Sequence, residues 1–155
     1  GIAPIPCNLY GTNDSFDPKN SHVLSSLVRK FIDAVDSDAK EVTIWGTGQA
    51  RREFMHVDDS ARAIIYLMEN WDLPNIINIG WGIDYSIKEL AELIADKTEF
   101  KGNIIWDKTK PEGMPRKCMD VSQMKRIGFQ PRITIEQGIL QTIAEYKNLK
   151  ANYLI

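Results

Sequence analysis

The sequence predicts an α/β fold, and three observations predict it. Short β-prone runs alternate with amphipathic helical stretches. Two capping boxes, Ser86-Ile87-Lys88-Glu89 and Thr134-Ile135-Glu136-Gln137, open helical periodicity. Glycines punctuate the joints between strands. With 155 residues, 43% of them apolar, such a chain buries about two-thirds of its unfolded surface, which suits one domain-sized unit over residues 1–155. The formal charge of −2, with no long block of either sign, supplies no field for nucleic acid or an anionic membrane, so neither is an expected partner. No apolar run approaches the roughly 18 residues of a membrane span. Cys7 and Cys118 have no CxxC and no neighbouring His, which gives no reason for a disulfide or a metal site and points to a reducing, cytoplasmic setting.

The elements follow in order. The chain opens without methionine on an apolar, strand-like segment, Gly1-Ile2-Ala3-Pro4-Ile5-Pro6, an odd start for a self-sufficient domain; the expectation is a piece of a longer protein. Asn20 and Ser21 can cap a helix whose core stripe is Val23, Leu27, Phe31 and Val35, leaving His22, Ser26 and Arg29 on a polar face. Glu41–Trp45 and Glu53–Val57 read as strands around Gly46-Thr47-Gly48. Asp58 and Asp59 cap a helix with Ala61, Ile64, Ile65 and Met68 facing the core. Asn75–Gly80 reads as a buried strand. The first capping box starts a helix with Ile87, Leu90 and Ile94, Asn103–Asp107 is a short strand, and Thr109–Lys117 is a basic loop broken by Pro and Gly. A short helix from Val121 stops at Gly128, and the second box opens a final helix to about Tyr146.

Two motifs are set aside. Gly46-x-Gly48 and Gly80-x-Gly82 lack the third glycine and following helix of a dinucleotide fingerprint, so they read as turn glycines. Tyr146 and Lys150 have the Tyr-x-x-x-Lys spacing of short-chain dehydrogenases but sit at the end of the last helix, far from any cofactor motif. His56 reads as structural.

The order of the remaining motifs is more specific. Pro6-Cys7-Asn8-Leu9-Tyr10-Gly11, Asn20-Ser21-His22-Val23, Trp45-Gly46-Thr47-Gly48, Arg52-Glu53-Phe54-Met55-His56-Val57-Asp58-Asp59 and Lys110-Pro111-Glu112-Gly113-Met114-Pro115-Arg116-Lys117 together resemble the second half of the GDP-L-fucose synthases, extended short-chain dehydrogenases. The resemblance covers nearly all of the chain. It implies the C-terminal substrate-binding domain of such an enzyme plus the last strands of its Rossmann sheet, with the amino-terminal, cofactor-binding half as the missing partner. It also implies NADP(H) as cofactor of the complete enzyme, none held tightly by this chain, a GDP-sugar substrate and a homodimeric whole. That enzyme epimerises GDP-4-keto-6-deoxymannose twice beside the ketone and then reduces it.

Epimerisation needs an acid and a base on opposite faces of the sugar; His22 matches the family's histidine, while the matching cysteine and the Ser/Tyr/Lys group belong to the other half. Pro6, Cys7, Asn8 and Leu9, with His22, match the cofactor side, and Cys7 stands where the family shows threonine. Lys30 and Arg52 match basic substrate positions, with Arg29 an adjacent alternative to Lys30. Arg116 is a third candidate for the diphosphate, Trp45 for the guanine and Glu112 for a hydroxyl. Three readings stay open: half of this enzyme, inactive alone; a stand-alone GDP-sugar module; or the equivalent half of a UDP- or dTDP-sugar epimerase or dehydratase.

Overall fold

A computed structural model describes residues 1–111 and 113–155. In chain order the elements are β1 (Ala3–Pro6), β2 (Asn8–Tyr10), α1 (Val23–Asp36), β3 (Glu41–Trp45), β4 (Arg51–His56), α2 (Val57–Asn70), β5 (Ile76–Ile79), β6 (Asp84–Ser86), α3 (Ile87–Lys97), β7 (Asn103–Asp107), β8 (Arg116–Lys117), α4 (Ser122–Arg126) and α5 (Ile135–Ala151). The expected α/β alternation is present. β3 and β7 keep their expected bounds and pair in parallel, Glu41 against Asn103 through Trp45 against Asp107. β1 and β5 form a second parallel pair. β4 is the hub of the third sheet: parallel to β2 from Phe54 to His56, antiparallel to β6 from Arg51 to Glu53, and parallel to β8 at Arg51 and Arg52.

Both capping boxes close. Ser86 Oγ accepts the Glu89 N–H while the Glu89 carboxylate accepts the Ser86 N–H, and Thr134 and Gln137 repeat the exchange; a good cap stabilises a helix by about 1 kcal/mol. Apolar packing divides into two clusters. The first joins α1, β3, α3 and α5 through Leu27, Phe31, Ile44, Leu90, Ile94 and Ile139. The second joins β5, α2 and α4 through Cys7, Ala63, Leu67, Ile77, Ile79 and Met124. Each large aliphatic side chain so buried contributes about 1.5–3 kcal/mol.

Several local expectations fail, each for a tertiary or local reason. The N-cap of α1 is His22, not Asn20 or Ser21, because Asp17 draws both into its own turn: its side chain accepts from Asn20 Nδ2 and its carbonyl from the Ser21 N–H. The core stripe of α1 is displaced accordingly, with Leu24, Val28 and Ile32 inside and Val23 and Val35 exposed. α2 is capped by His56, whose Nδ1 accepts the Asp58 N–H at 3.2 Å. Asp59 instead points inward to Arg62 and to the backbone N–H groups of Arg132 and Ile133. Ala61, Ile64, Ile65 and Met68, expected in the core, are exposed; Ala63 and Leu67 are buried in their place. β5 is buried on one face only, with Ile76 exposed. The basic loop contains β8, and β6 adds a further strand; both are too short for a propensity signal and form by pairing with β4.

α5 runs to Ala151, past its expected end, because α1 holds its last turns. Lys150 Nζ donates to Asp33 and Asp36 at 2.7 and 2.8 Å, and Tyr146 donates to Asp33 at 2.9 Å. This is the role of the Tyr146/Lys150 pair, a structural one. Burial raises the pKa of Asp33, but the bonds from Lys150 and Tyr146 outweigh it and hold the carboxyl below its usual range. A carboxyl depressed in the folded state contributes stability above its unfolded pKa and loses it as pH falls through the folded value. Asp33→Asn is expected to lower the thermal midpoint by about 2–4 °C at pH 7, and the gap to the unsubstituted chain is expected to close below about pH 3. Calorimetric scans across that range check both; a gap independent of pH contradicts the assignment.

Candidate functional site

α1, the end of β3 and the start of β4 enclose a cleft of about 260 Å³. The turn that shapes it needs glycine: Gly46 and Gly48 have φ of 86° and 79°, and a Cβ on Gly48 would stand 2.7 Å from the Trp106 ring. The carbonyls of Gly48 and Ala50 accept the N–H groups of Lys88 and Ile87, which are otherwise unpaired donors of the first turn of α3. The turn is thereby fixed to a helix. Val23, Leu27, Ile44, Ala50 and Ile87 form the apolar wall, and Ser26, Lys30, Trp45, Arg52 and Pro111 complete the lining.

Three substrate candidates read from the sequence therefore converge here: Lys30 from α1, Trp45 from the end of β3, and Arg52 from β4. Lys30 Nζ donates to the Thr43 carbonyl at 3.0 Å, and withdrawal of the ammonium from water lowers its pKa, although the residue as a whole remains exposed. Arg52 donates to the Arg51 carbonyl at 2.7 Å. Two cations held by carbonyls rather than carboxylates can accept an anion through charge-assisted hydrogen bonds. Trp45, 63% exposed, offers a flat aromatic face at the rim, where Lys110 Nζ lies 5.8 Å from the ring centroid, within cation–π range. Arg29, the alternative to Lys30, donates to the Phe16 carbonyl and pairs with Asp33.

The other candidates stand elsewhere. Arg116 is outside the cleft lining, its guanidinium bonded to Asp84. Glu112 lies outside the described residues. His22 is exposed at the N-terminus of α1, with no side-chain cap bond, one residue before the cleft wall at Val23. Pro6 ends β1, and Cys7, Asn8 and Leu9 run from there into β2, with Cys7 and Leu9 packed in the second apolar cluster. Burial, reinforced by Glu53, pushes the Cys7 thiol up to about 12, so it is neutral at physiological pH. Asn8 Nδ2 donates to the Glu53 carbonyl at 2.8 Å.

Sequence reasoning missed Lys110 and Pro111 as neighbours of the cleft, although both belong to the quoted loop motif. It also missed Glu53, fully buried, whose carboxylate accepts the N–H groups of Gly82 and Met119 at 2.7 and 2.6 Å and so holds two loops to β4. A larger cavity of about 510 Å³ between α2 and the Gly128–Arg132 segment contains none of the expected site residues. Among the described residues no group of three or more His, Cys, Asp or Glu could hold a metal ion, and no helix is long and apolar enough to cross a membrane.

The fold and cleft define an α/β chain with a cationic, aromatic-rimmed cleft. The chain belongs to the NAD dependent epimerase/dehydratase family, whose model matches residues 1–80. It is 46% identical over 145 residues to the probable GDP-L-fucose synthase 1 of Oryza sativa subsp. japonica, covering 94% of this chain and 44% of that protein. It is 42% identical over 149 residues to the GDP-L-colitose synthase of Yersinia pseudotuberculosis, covering 96% of this chain and 48% of that one. Among solved structures it resembles a GDP-L-fucose synthetase from Naegleria fowleri bound to NADP, with a TM-score of 0.89 and 27% identity, covering 97% of this chain and 47% of that one. The chain thus spans about half the length of the relatives it matches.

Burial of the Lys30 ammonium brings the loss of its charge below the usual lysine range, and an anion bound beside it would favour the charged form. Affinity for inorganic pyrophosphate is therefore expected to fall on the alkaline side earlier than an ordinary lysine dictates, with net proton uptake on binding there. Lys30→Arg, which stays charged, should flatten that limb. Titration calorimetry in buffers of different ionisation heat measures both, and an alkaline limb unchanged in Lys30→Arg excludes Lys30 as its source.

Proposed function

We propose that this chain is the nucleotide-sugar-binding part of an NADP(H)-dependent epimerase/reductase that converts GDP-4-keto-6-deoxymannose to GDP-L-fucose, working together with a cofactor-binding half. The observation that carries the reading is the convergence of Lys30, Trp45 and Arg52 on one cleft, at the motif positions where the resemblance puts the substrate. Lys30 and Arg52 take the diphosphate, each charge-assisted bond contributing about 1.5–3 kcal/mol when shielded from water. Trp45 stacks on the guanine, and Glu112 takes a sugar or ribose hydroxyl. His22, beside the cleft wall, moves a proton at the carbons flanking the ketone. Pro6 to Leu9 would border the nicotinamide in the complete enzyme, where the bound cofactor would supply the hydride. The two free thiols, Cys7 and Cys118, fit a reducing, cytoplasmic setting.

A surface for the cofactor half supports this division. The Cys7 N–H donates to Ile79, so the odd residues of β1 face β5 and Pro4 and Pro6 face the free edge. A neighbouring strand there can donate to their carbonyls but finds no N–H to accept. Apolar packing has to supply the rest. On α2, Arg62 and Tyr66 turn to the Gly128–Arg132 segment and Ala63 and Leu67 turn inward. At 100° per residue, Ala61, Ile64 and Met68 fall on the opposite flank, which leaves Ile64 and Met68 as an apolar strip; Ile5 and Ile76 add exposed area on the same strand pair. Parallel sheets are normally covered on both faces.

Titration of the chain with GDP, UDP and NADPH is expected to show GDP bound at least about tenfold more tightly than UDP, a difference of about 1.4 kcal/mol, and no tight NADPH complex. Preference for UDP removes the GDP-sugar assignment, and tight NADPH binding removes the division between halves. Mixed with a folded cofactor half, the chain should oxidise NADPH in the presence of the 4-keto sugar nucleotide; a folded mixture that binds GDP and stays inactive favours a stand-alone binding module. In the active assembly His22→Asn should block epimerisation far more than sugar-nucleotide binding, and equal losses in both would assign it a positioning role only.

A further inference from the structure

Asp84 stands where three strands meet, and nothing in the proposed chemistry uses it. It lies on β6 opposite Glu53 of β4 and is 8% exposed. Arg51 Nε donates to one carboxylate oxygen at 2.8 Å and Arg51 Nη2 to the Asp84 carbonyl at 2.9 Å. Arg116 of β8 donates to the other carboxylate oxygen. A single carboxylate therefore ties β6, β4 and β8 together, and hydrogen bonds from its two guanidinium partners, Arg116 first, hold it below the usual carboxylate range. The bridge is needed: β8 has two residues, too few to hold a pairing alone, and Arg51 and Arg116 are directly registered across the strands, where like charges repel.

What β8 does depends on where it lies. Its entry is fixed by the Arg51 N–H, which donates to the Pro115 carbonyl at 2.8 Å. Gly113 then lies beside the side chain of Arg52, where a Cβ would make ordinary contact with Nη2 at 3.6 Å. The segment locked by Asp84 thus runs beside the guanidinium of Arg52, the one that lines the cleft among the described residues. Arg51 and Arg52 are neighbours in sequence with opposite tasks, the first spent on Asp84 and the second turned to the cleft.

We propose that Asp84 is a positioning residue for the nucleotide cleft: by bridging Arg51 to Arg116 it locks β8 onto β4 and so fixes Arg52 toward the ligand, and Arg116 acts through Asp84 rather than on the diphosphate. This rests on the nucleotide-sugar reading above and deepens it, replacing the expectation from sequence that Arg116 meets the diphosphate itself.

The test is a double-mutant cycle on GDP affinity, with hydrogen exchange of the Arg51 amide as a second readout. Asp84→Asn and Arg116→Gln should each weaken GDP about tenfold, and the double variant should be no weaker than the worse single. In Arg116→Gln, whose side chain is 67% exposed and whose loss leaves both apolar clusters intact, the Arg51 amide should exchange faster as its bond to Pro115 opens. Asp84→Glu should recover most of the affinity. Additive losses in the double variant, or loss of affinity in Arg116→Gln with Arg51 exchange unchanged, overturn the proposal in favour of direct contact. The Arg116→Gln result stands whether or not Asp84→Asn folds. Failure of the unsubstituted chain to bind GDP counts against the nucleotide-sugar reading instead, so the two failures are distinct.

Discussion

The two-residue alternation of β4 governs the arrangement of the whole chain. Side chains along a strand point to opposite faces, and in β4 the even positions, Arg52 and Phe54, face the cleft and the first apolar cluster, while the odd positions, Arg51, Glu53 and Met55, face Asp84 and the second cluster. A slip of one residue would exchange every role at once, burying Arg52 and presenting Glu53 to the cleft. The register is held from both edges, by β2 and β8 on one side and β6 on the other, and by the two N–H groups that Glu53 accepts. The site is thus a consequence of strand pairing at a position where three sequence-distant segments meet.

Charge is partitioned along the same lines. Arg51 and Arg116 share Asp84, Arg29 and Lys150 share Asp33, and Lys97 pairs with Glu136. Lys30 and Arg52 are held instead by backbone carbonyls. A chain with a formal charge of −2 therefore carries a locally positive cleft without a basic surface, its positive charge placed by two side chains rather than by a long-range field. The exposed ring of Trp45 stands at the rim of that cleft.

The sequence was most legible where a local pattern coincides with a local structure. The capping boxes at Ser86 and Thr134, the strands of β3 and β7, and the turn glycines Gly46 and Gly48 are read without tertiary information. Lys30, Trp45 and Arg52 were legible as a group through motif order, since no periodicity places residues from α1, β3 and β4 together. Legibility failed where tertiary contacts override the pattern. The apolar residues Ile64, Ile65 and Met68 predict a core face that the fold leaves exposed, because Asp59 is turned inward by Arg62, Arg132 and Ile133 and sets the rotation of α2. The partner of Arg116 is hidden in the sequence because Asp84, the carboxylate it bonds, lies 32 residues away.

The proposed function places the guanosine diphosphate in the cleft between α1, β3 and β4. Amide chemical-shift mapping of the isotopically labelled chain on addition of GDP tests it most directly. The account predicts shifts concentrated at Val23 to Lys30, Trp45 to Arg52 and Ile87, with Trp45→Phe changing the pattern at the rim. Shifts centred on the Gly128–Arg132 cavity, or on Pro6 to Leu9 with the cleft undisturbed, would contradict it.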